Sequence, residues 1–90
     1  MSDATGETSH EAALAIEPDS NTLRGEVLAS LRSAGPMGMT DEEMQRELGL
    51  NPSTQRPRRI ELCSGRFVED SGMRRQTASG RRAVVWRAIR

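Results

Sequence analysis

Lysine is absent from the 90 residues, so all 13 basic side chains are arginine. Aromatic residues are nearly absent as well: Phe67 and Trp86 are the whole complement, and there is no tyrosine. With so few aromatics and hydrophobic residues at 34%, the core has to be small and built from Leu, Val, Ile and Met. Such a core leaves a stability margin of only about 3–5 kcal/mol and is too small to enclose a deep substrate pocket. One cysteine, Cys63, excludes an internal disulfide and any multi-cysteine zinc site. No apolar run is long enough to span a membrane, and the first residues lack the pattern of a secretory signal. A reducing, cytoplasmic setting is expected.

A chain of this length makes one domain at most. The formal net charge of zero hides a segregation of charge. Residues 1–20 hold Asp3, Glu7, Glu11, Glu17 and Asp19 with no arginine, a charge of −5. Residues 21–90 hold all 13 arginines against eight acids, a charge of +5, and from Asn51 onward the balance is +7. An acidic tail therefore precedes a domain whose second half is basic. The exclusive use of arginine has a plain explanation in the codon bias of a GC-rich genome. The alternative is selection for bidentate phosphate and guanine contacts.

Residues 40–62, TDEEMQRELGLNPSTQRPRRIEL, organise the rest of the chain. Thr40 and Glu43 have capping-box spacing, and the acids Asp41, Glu42 and Glu43 suit the positive end of a helix dipole. Met44 and Leu48 make an i,i+4 apolar stripe. Gly49 stands where a left-handed C-cap belongs, followed by the apolar Leu50. Asn51, Pro52 and Ser53 supply turn chemistry, and a strongly basic helix follows. Helix, glycine turn and basic helix together spell helix-turn-helix.

Upstream, residues 1–20 read as a disordered acidic tail, in which residues 10–17 are at most a transient helical turn. The tail acts either as a plain solubilising segment or, more specifically, as an internal mimic of nucleic acid or a partner peptide. His10 has no assigned role. Residues 22–34 form the first firm helix. Leu23, Val27, Leu28 and Leu31 make its buried stripe, Ser20, Asn21 or Thr22 caps its start, and Gly35-Pro36 stops it. Gly25 weakens this helix or permits close packing of a neighbour. Met37-Gly38-Met39 suits a short extended piece.

Pro57 would be costly in a helix interior, so the basic helix is expected over about residues 55–64, with Thr54 as N-cap and Gly65 at its end. On a wheel of about 100° per residue, Ile60, Leu62 and Cys63 share one arc, with Arg56 and Arg59 in or beside it. Thr54, Pro57, Arg58 and Glu61 face the other way. Arg58 is thus expected to reach a base edge, with Thr54 beside it. Arg59 either contacts phosphate or pairs with an acid such as Glu43 or Glu47. Cys63 reads as a small core residue rather than a reactive thiol.

After Gly65 the periodicity becomes that of strands. Residues 67–71 and residues 83–89 are the two candidates, the first ended by Gly72 and the second carrying Trp86 as a core anchor. The segment between them has Gly80 as a turn residue and Arg74, Arg75, Arg81 and Arg82 near its tip, with no acid in the loop to balance them.

This order of helix, extended piece, helix, turn, basic helix and Arg-rich hairpin resembles the winged helix-turn-helix family over residues 21–90. The runs LGLNPSTQRPRRIEL, FVEDSG and RRQTASGRRAVVW look like small DNA-binding proteins of bacteriophages and actinobacteria. The resemblance implies a mainly α, α+β fold of three helices plus a two-stranded wing. It implies a recognition helix carrying Ser53, Thr54, Gln55, Arg56, Arg58 and Arg59 in the major groove. The wing arginines Arg74, Arg75, Arg81 and Arg82 would rest on the backbone or in the minor groove. Two positions depart from the family pattern: Gln55 stands where an apolar residue is usual, and Arg66 separates Gly65 from the apolar pair that opens the wing.

The expected function is binding of double-stranded DNA by a small transcriptional regulator or phage accessory factor, in a bacterial cytoplasm or nucleoid or an infected host. The alternative is a winged-helix protein-interaction module that binds a partner through the wing or the acidic tail. No catalytic residue, metal or cofactor is expected: no His, Cys or carboxylate cluster, nucleophile motif or phosphate-cradling loop is present. A monomer, or a weak dimer assembled on DNA, is expected.

Overall fold

The computed structural model describes residues 17–89. The readings placed on residues 1–16, His10 among them, lie outside this range. The described chain contains three α-helices and a two-stranded antiparallel sheet, an α+β arrangement.

Helix α1, Leu23–Ala34, starts at Thr22, whose hydroxyl oxygen accepts from the Gly25 N–H at 3.0 Å. Val27, Leu28 and Leu31 are buried as their spacing predicts, whereas Leu23 remains partly exposed at the first turn. The folded chain reaches back into the segment that the composition assigns to the tail. The Glu17 carboxylate accepts two hydrogen bonds from Arg32, and the Asp19 carbonyl accepts from the Thr22 amide and hydroxyl. Gly25 is where that segment crosses the helix, because a Cβ there would stand 2.0 Å from the Asp19 carbonyl oxygen. Gly25→Ala is therefore expected to destabilise the protein by about 1–3 kcal/mol through steric clash, despite the better helix propensity of alanine. Thermal melting followed by circular dichroism checks the sign.

Gly35–Met37 forms one 3₁₀ turn, and Gly38, at φ 63°, carries the chain past Trp86. Met39 then exchanges both backbone hydrogen bonds with Trp86 at 2.8 Å, a single extended pairing that docks this segment on the sheet. Helix α2, Asp41–Leu48, has the capping box that its sequence predicts: the Glu43 N–H donates to the Thr40 hydroxyl, and the Thr40 N–H donates to the Glu43 carboxylate. Gly49 adopts the left-handed conformation at φ 67° and closes the helix.

Helix α3, Pro52–Ser64, begins earlier than the sequence suggests. Its N-cap is Asn51, whose side-chain oxygen accepts from the Thr54 N–H and the Ser53 hydroxyl. Pro52 takes the first helical position, where its fixed φ favours the helix and its missing N–H costs nothing. Pro57 consequently lies inside the helix, where it cannot donate to the carbonyl of Ser53, an exposed residue. At the far end Gly65 takes ordinary right-handed angles and Arg66, at φ 66°, makes the left-handed turn into the sheet.

Strands β1, Val68–Gln76, and β2, Arg82–Ala88, pair from Val68 opposite Ala88 to Gln76 opposite Arg82. β1 does not end at Gly72. The register shifts between Asp70 and Arg74, so Gly72, at φ 86°, sits in a bulge and the strand continues through Arg74 and Arg75. The turn is correspondingly short, closed by hydrogen bonds from Thr77 N–H to Arg81 and from Gly80 N–H to Thr77. Val27, Leu28, Leu31, Met39, Met44, Leu62 and Val68 form the core, with Trp86, Phe67, Leu48 and Leu50 packed against it. Among the described residues, no helix is long and apolar enough to cross a membrane.

Candidate nucleic-acid interface

The solvent face of α3 differs from the one its hydrophobicity suggests. Ile60, expected in the buried arc, is 53% exposed, while Gln55 is fully buried. The exposed stripe runs Ser53, Arg56, Ile60, Ser64, one residue per turn. Gln55 can be buried because its amide is satisfied from α2. It donates to the Asp41 carboxylate at 3.0 Å and accepts from the Gln45 amide at 2.8 Å. That burial removes Gln55 from any surface contact.

The arginines of α3 divide into three environments. Arg59 is structural: it donates to both Asp41 carboxylate oxygens, at 3.0 and 2.6 Å, and stacks over the Trp86 ring at 4.1 Å from its centroid. Its partner is Asp41, not Glu43 or Glu47. Glu47 instead accepts from the buried Ser30 hydroxyl. Arg58 lies against the end of α1, where it and Arg24 share Glu61. Its Nε is buried without a partner, and the side chain is turned away from the exposed stripe. A wheel that counts Ile60 in the buried arc and leaves Gln55 out puts Arg58 on the exposed side instead. Arg56 is mostly exposed and has only the edge of the Asp41 carboxylate, 3.9 Å away. Thr54 is half-buried, and its N–H is used in the Asn51 cap.

The hairpin arginines also separate. Arg74 pairs with Asp70 four residues earlier on β1, at 3.1 Å. Arg75 donates to Glu43 at 2.6 Å and to the Met37 carbonyl at 2.7 Å, fastening the sheet to α2. The acids that balance these two arginines, Asp70 and Glu43, lie on β1 and α2, outside the loop itself. Arg81 and Arg82 are exposed and, among the described residues, have no carboxylate within salt-bridge distance. Arg81 and Arg82 line one open depression with Arg56, Arg59 and Pro52, between the first half of α3 and the hairpin turn; Asp41 and Glu42 line it too, the first held by Arg59 and the second by Arg46 and the Ala78 N–H.

The three acids of the first α2 turn do more than the capping expected from the sequence. Asp41 holds Gln55 and Arg59, Glu43 holds Arg75, and the Glu42 carboxylate accepts from the Ala78 N–H at 3.0 Å and so docks the turn. One signal pointed to this, since a capping box needs only the glutamate at its third position. Burial pushes the Asp41 carboxyl up, but hydrogen bonds from Arg59 and Gln55 and the charges of Arg59 and Arg56 outweigh it. The group therefore sits below the ordinary carboxylate range. Glu43 is lowered likewise, its burial outweighed by the Thr40 N–H and by Arg75. Burial pushes the Cys63 thiol up, which suits a half-buried packing residue and not a nucleophile.

Comparison of the chain with family models, with curated proteins and with solved structures finds no match.

Proposed function

We propose that the chain is a winged helix-turn-helix protein that binds double-stranded DNA, as a small transcriptional regulator or phage accessory factor. The single observation that carries this reading is the convergence of Arg56, Arg81 and Arg82 on one depression. None of them has a carboxylate closer than 3.9 Å among the described residues. Most other arginines of the domain are held by acids at 3.5 Å or less. The two acids of the same surface, Asp41 and Glu42, are taken up by Arg59 and by Arg46 and the Ala78 N–H, so the three guanidiniums remain in excess, and such a concave surface fits a polyanion. The chain order supports the fold half of the reading: α1, the Met39 pairing, α2, α3 and then a hairpin that α2 holds beside α3.

In this arrangement the exposed stripe of α3 enters the major groove, and Arg81 and Arg82 bind phosphates on its flank. Arg74 and Arg75 brace the hairpin and do not touch DNA. Arg58→Ala is expected to leave both the affinity and the sequence preference within about twofold, because its guanidinium serves Glu61 on the α1 side. Electrophoretic comparison on a preferred and a scrambled duplex checks this. The reading as a whole is tested by fluorescence anisotropy with random-sequence duplex DNA across a salt series. Micromolar binding with a steep negative salt slope is expected. No binding at low salt would move the assignment to a protein-interaction module.

A further inference from the structure

The exposed face of α3 carries one apolar side chain for which the fold has no use. Ile60 lies mid-helix, between Arg56 one turn before and Ser64 one turn after, while Gln55 and Leu62 close the core on the opposite side. A β-branched residue is not favoured there by helix propensity. Arg56 and Ile60 lie about 40° apart around the helix and about 6 Å apart along it. The only acid of α3, Glu61, is turned to the other side and held by Arg24 and Arg58. The exposed face therefore combines one isoleucine, one weakly partnered guanidinium and the hydroxyls of Ser53 and Ser64. Arg81 and Arg82 stand beside its first half.

We propose that Ile60 reads the 5-methyl group of a thymine in the major groove, within two base pairs of a guanine held by Arg56. This rests on the DNA-binding reading above and adds the class of sequence preferred. Guanine presents O6 and N7 as paired acceptors to a guanidinium, and thymine alone offers an apolar group on the major-groove edge. The helical rise of about 6 Å between the two side chains corresponds to about two base steps of about 3.4 Å. Charge selects the occupant: an apolar patch on a protein would cover Ile60 but would leave the surrounding cations unneutralised, whereas a duplex meets both.

The test uses the full chain and a pool of randomised duplexes. Each thymine of the best-retained sequence is replaced in turn by deoxyuridine, which removes only the methyl group. The wild-type protein is expected to lose about fourfold in affinity at one thymine near a guanine, the contribution of one buried methyl. Ile60→Ala is expected to bind the thymine and deoxyuridine duplexes alike, Ile60→Val to keep part of the discrimination, and Arg56→Ala to lose the preference at the guanine instead. Unchanged circular dichroism confirms that the variants fold, as substitution of an exposed residue should allow. If no sequence is preferred, if no deoxyuridine weakens the wild type, or if Ile60→Ala keeps the discrimination, the inference is overturned while DNA binding stands. Failure to bind any duplex at low salt overturns both.

Discussion

Asp41→Ala is expected to cost about 3 kcal/mol of folding stability, most of what a domain of this size possesses. The carboxylate is the common acceptor for Arg59, which is stacked on Trp86, and for the buried amide of Gln55. Its removal leaves a largely buried guanidinium without its counter-charge and a buried N–H without an acceptor, and each loss is expensive in a poorly hydrated interior. A urea titration followed by Trp86 emission measures the loss directly, since the indole lies beneath the affected arginine. A loss below about 1 kcal/mol would mean that the Asp41 cluster does not hold α2, α3 and the sheet together.

The same cluster sets the acid response. Asp41 and Glu43 both have carboxyl groups lowered in the folded state. Below the ordinary carboxylate values, at about pH 4, the unfolded chain binds protons that the native state does not. The contribution of these groups is thus fully present above that pH and is lost as pH falls through their lowered native values. The melting temperature is expected to fall from pH 5 towards pH 3. Asp41→Asn, already lacking the charge, is expected to start lower and fall less steeply.

The second large effect is on binding. Replacing both Arg81 and Arg82 with alanine is expected to weaken duplex DNA binding by roughly tenfold to a hundredfold near 0.1 M salt. Two lost phosphate contacts should also reduce the magnitude of the salt slope by about 1.8. Stability should be unaffected, because both side chains are exposed and neither takes part in the ion pairs that hold the hairpin. The matched control is Arg74→Ala, whose guanidinium is occupied by Asp70. Equal losses from the control and the double variant would mean that general charge, and not this depression, drives association.

Features determined within a few residues were legible in the sequence. The Thr40 capping box, a cap for α1 among Ser20, Asn21 and Thr22, the Gly49 turn and, Leu23 apart, the buried stripe of Val27, Leu28 and Leu31 depend on spacings of three or four residues, and all are present. The existence of the two strands was legible too. The phase of α3 was not, because Ile60 and Cys63 outweigh Gln55 on any hydrophobicity wheel. What makes Gln55 buriable is a pair of partners on α2, Asp41 and Gln45, that a local pattern does not contain. Pro57 points to a later start for α3, although the Asn51 cap and Pro52 at the first helical position favour the earlier one. Gly72 has the character of a strand stop, but a bulge absorbs it. Sorting the arginines required tertiary structure, since Arg75 and Arg59 find their carboxylates 32 and 18 residues away in the chain.

Titration of the ¹⁵N-labelled full chain with a short random-sequence duplex at low salt tests the central claim most directly, because it locates the contact as well as detecting it. The largest backbone amide shifts are expected along the exposed stripe of α3, from Ser53 to Ile60, and around the hairpin turn at Arg81 and Arg82. Shifts concentrated at the α1 end near Arg24 and Arg58, or none at all, would contradict the assignment of this face to double-stranded DNA.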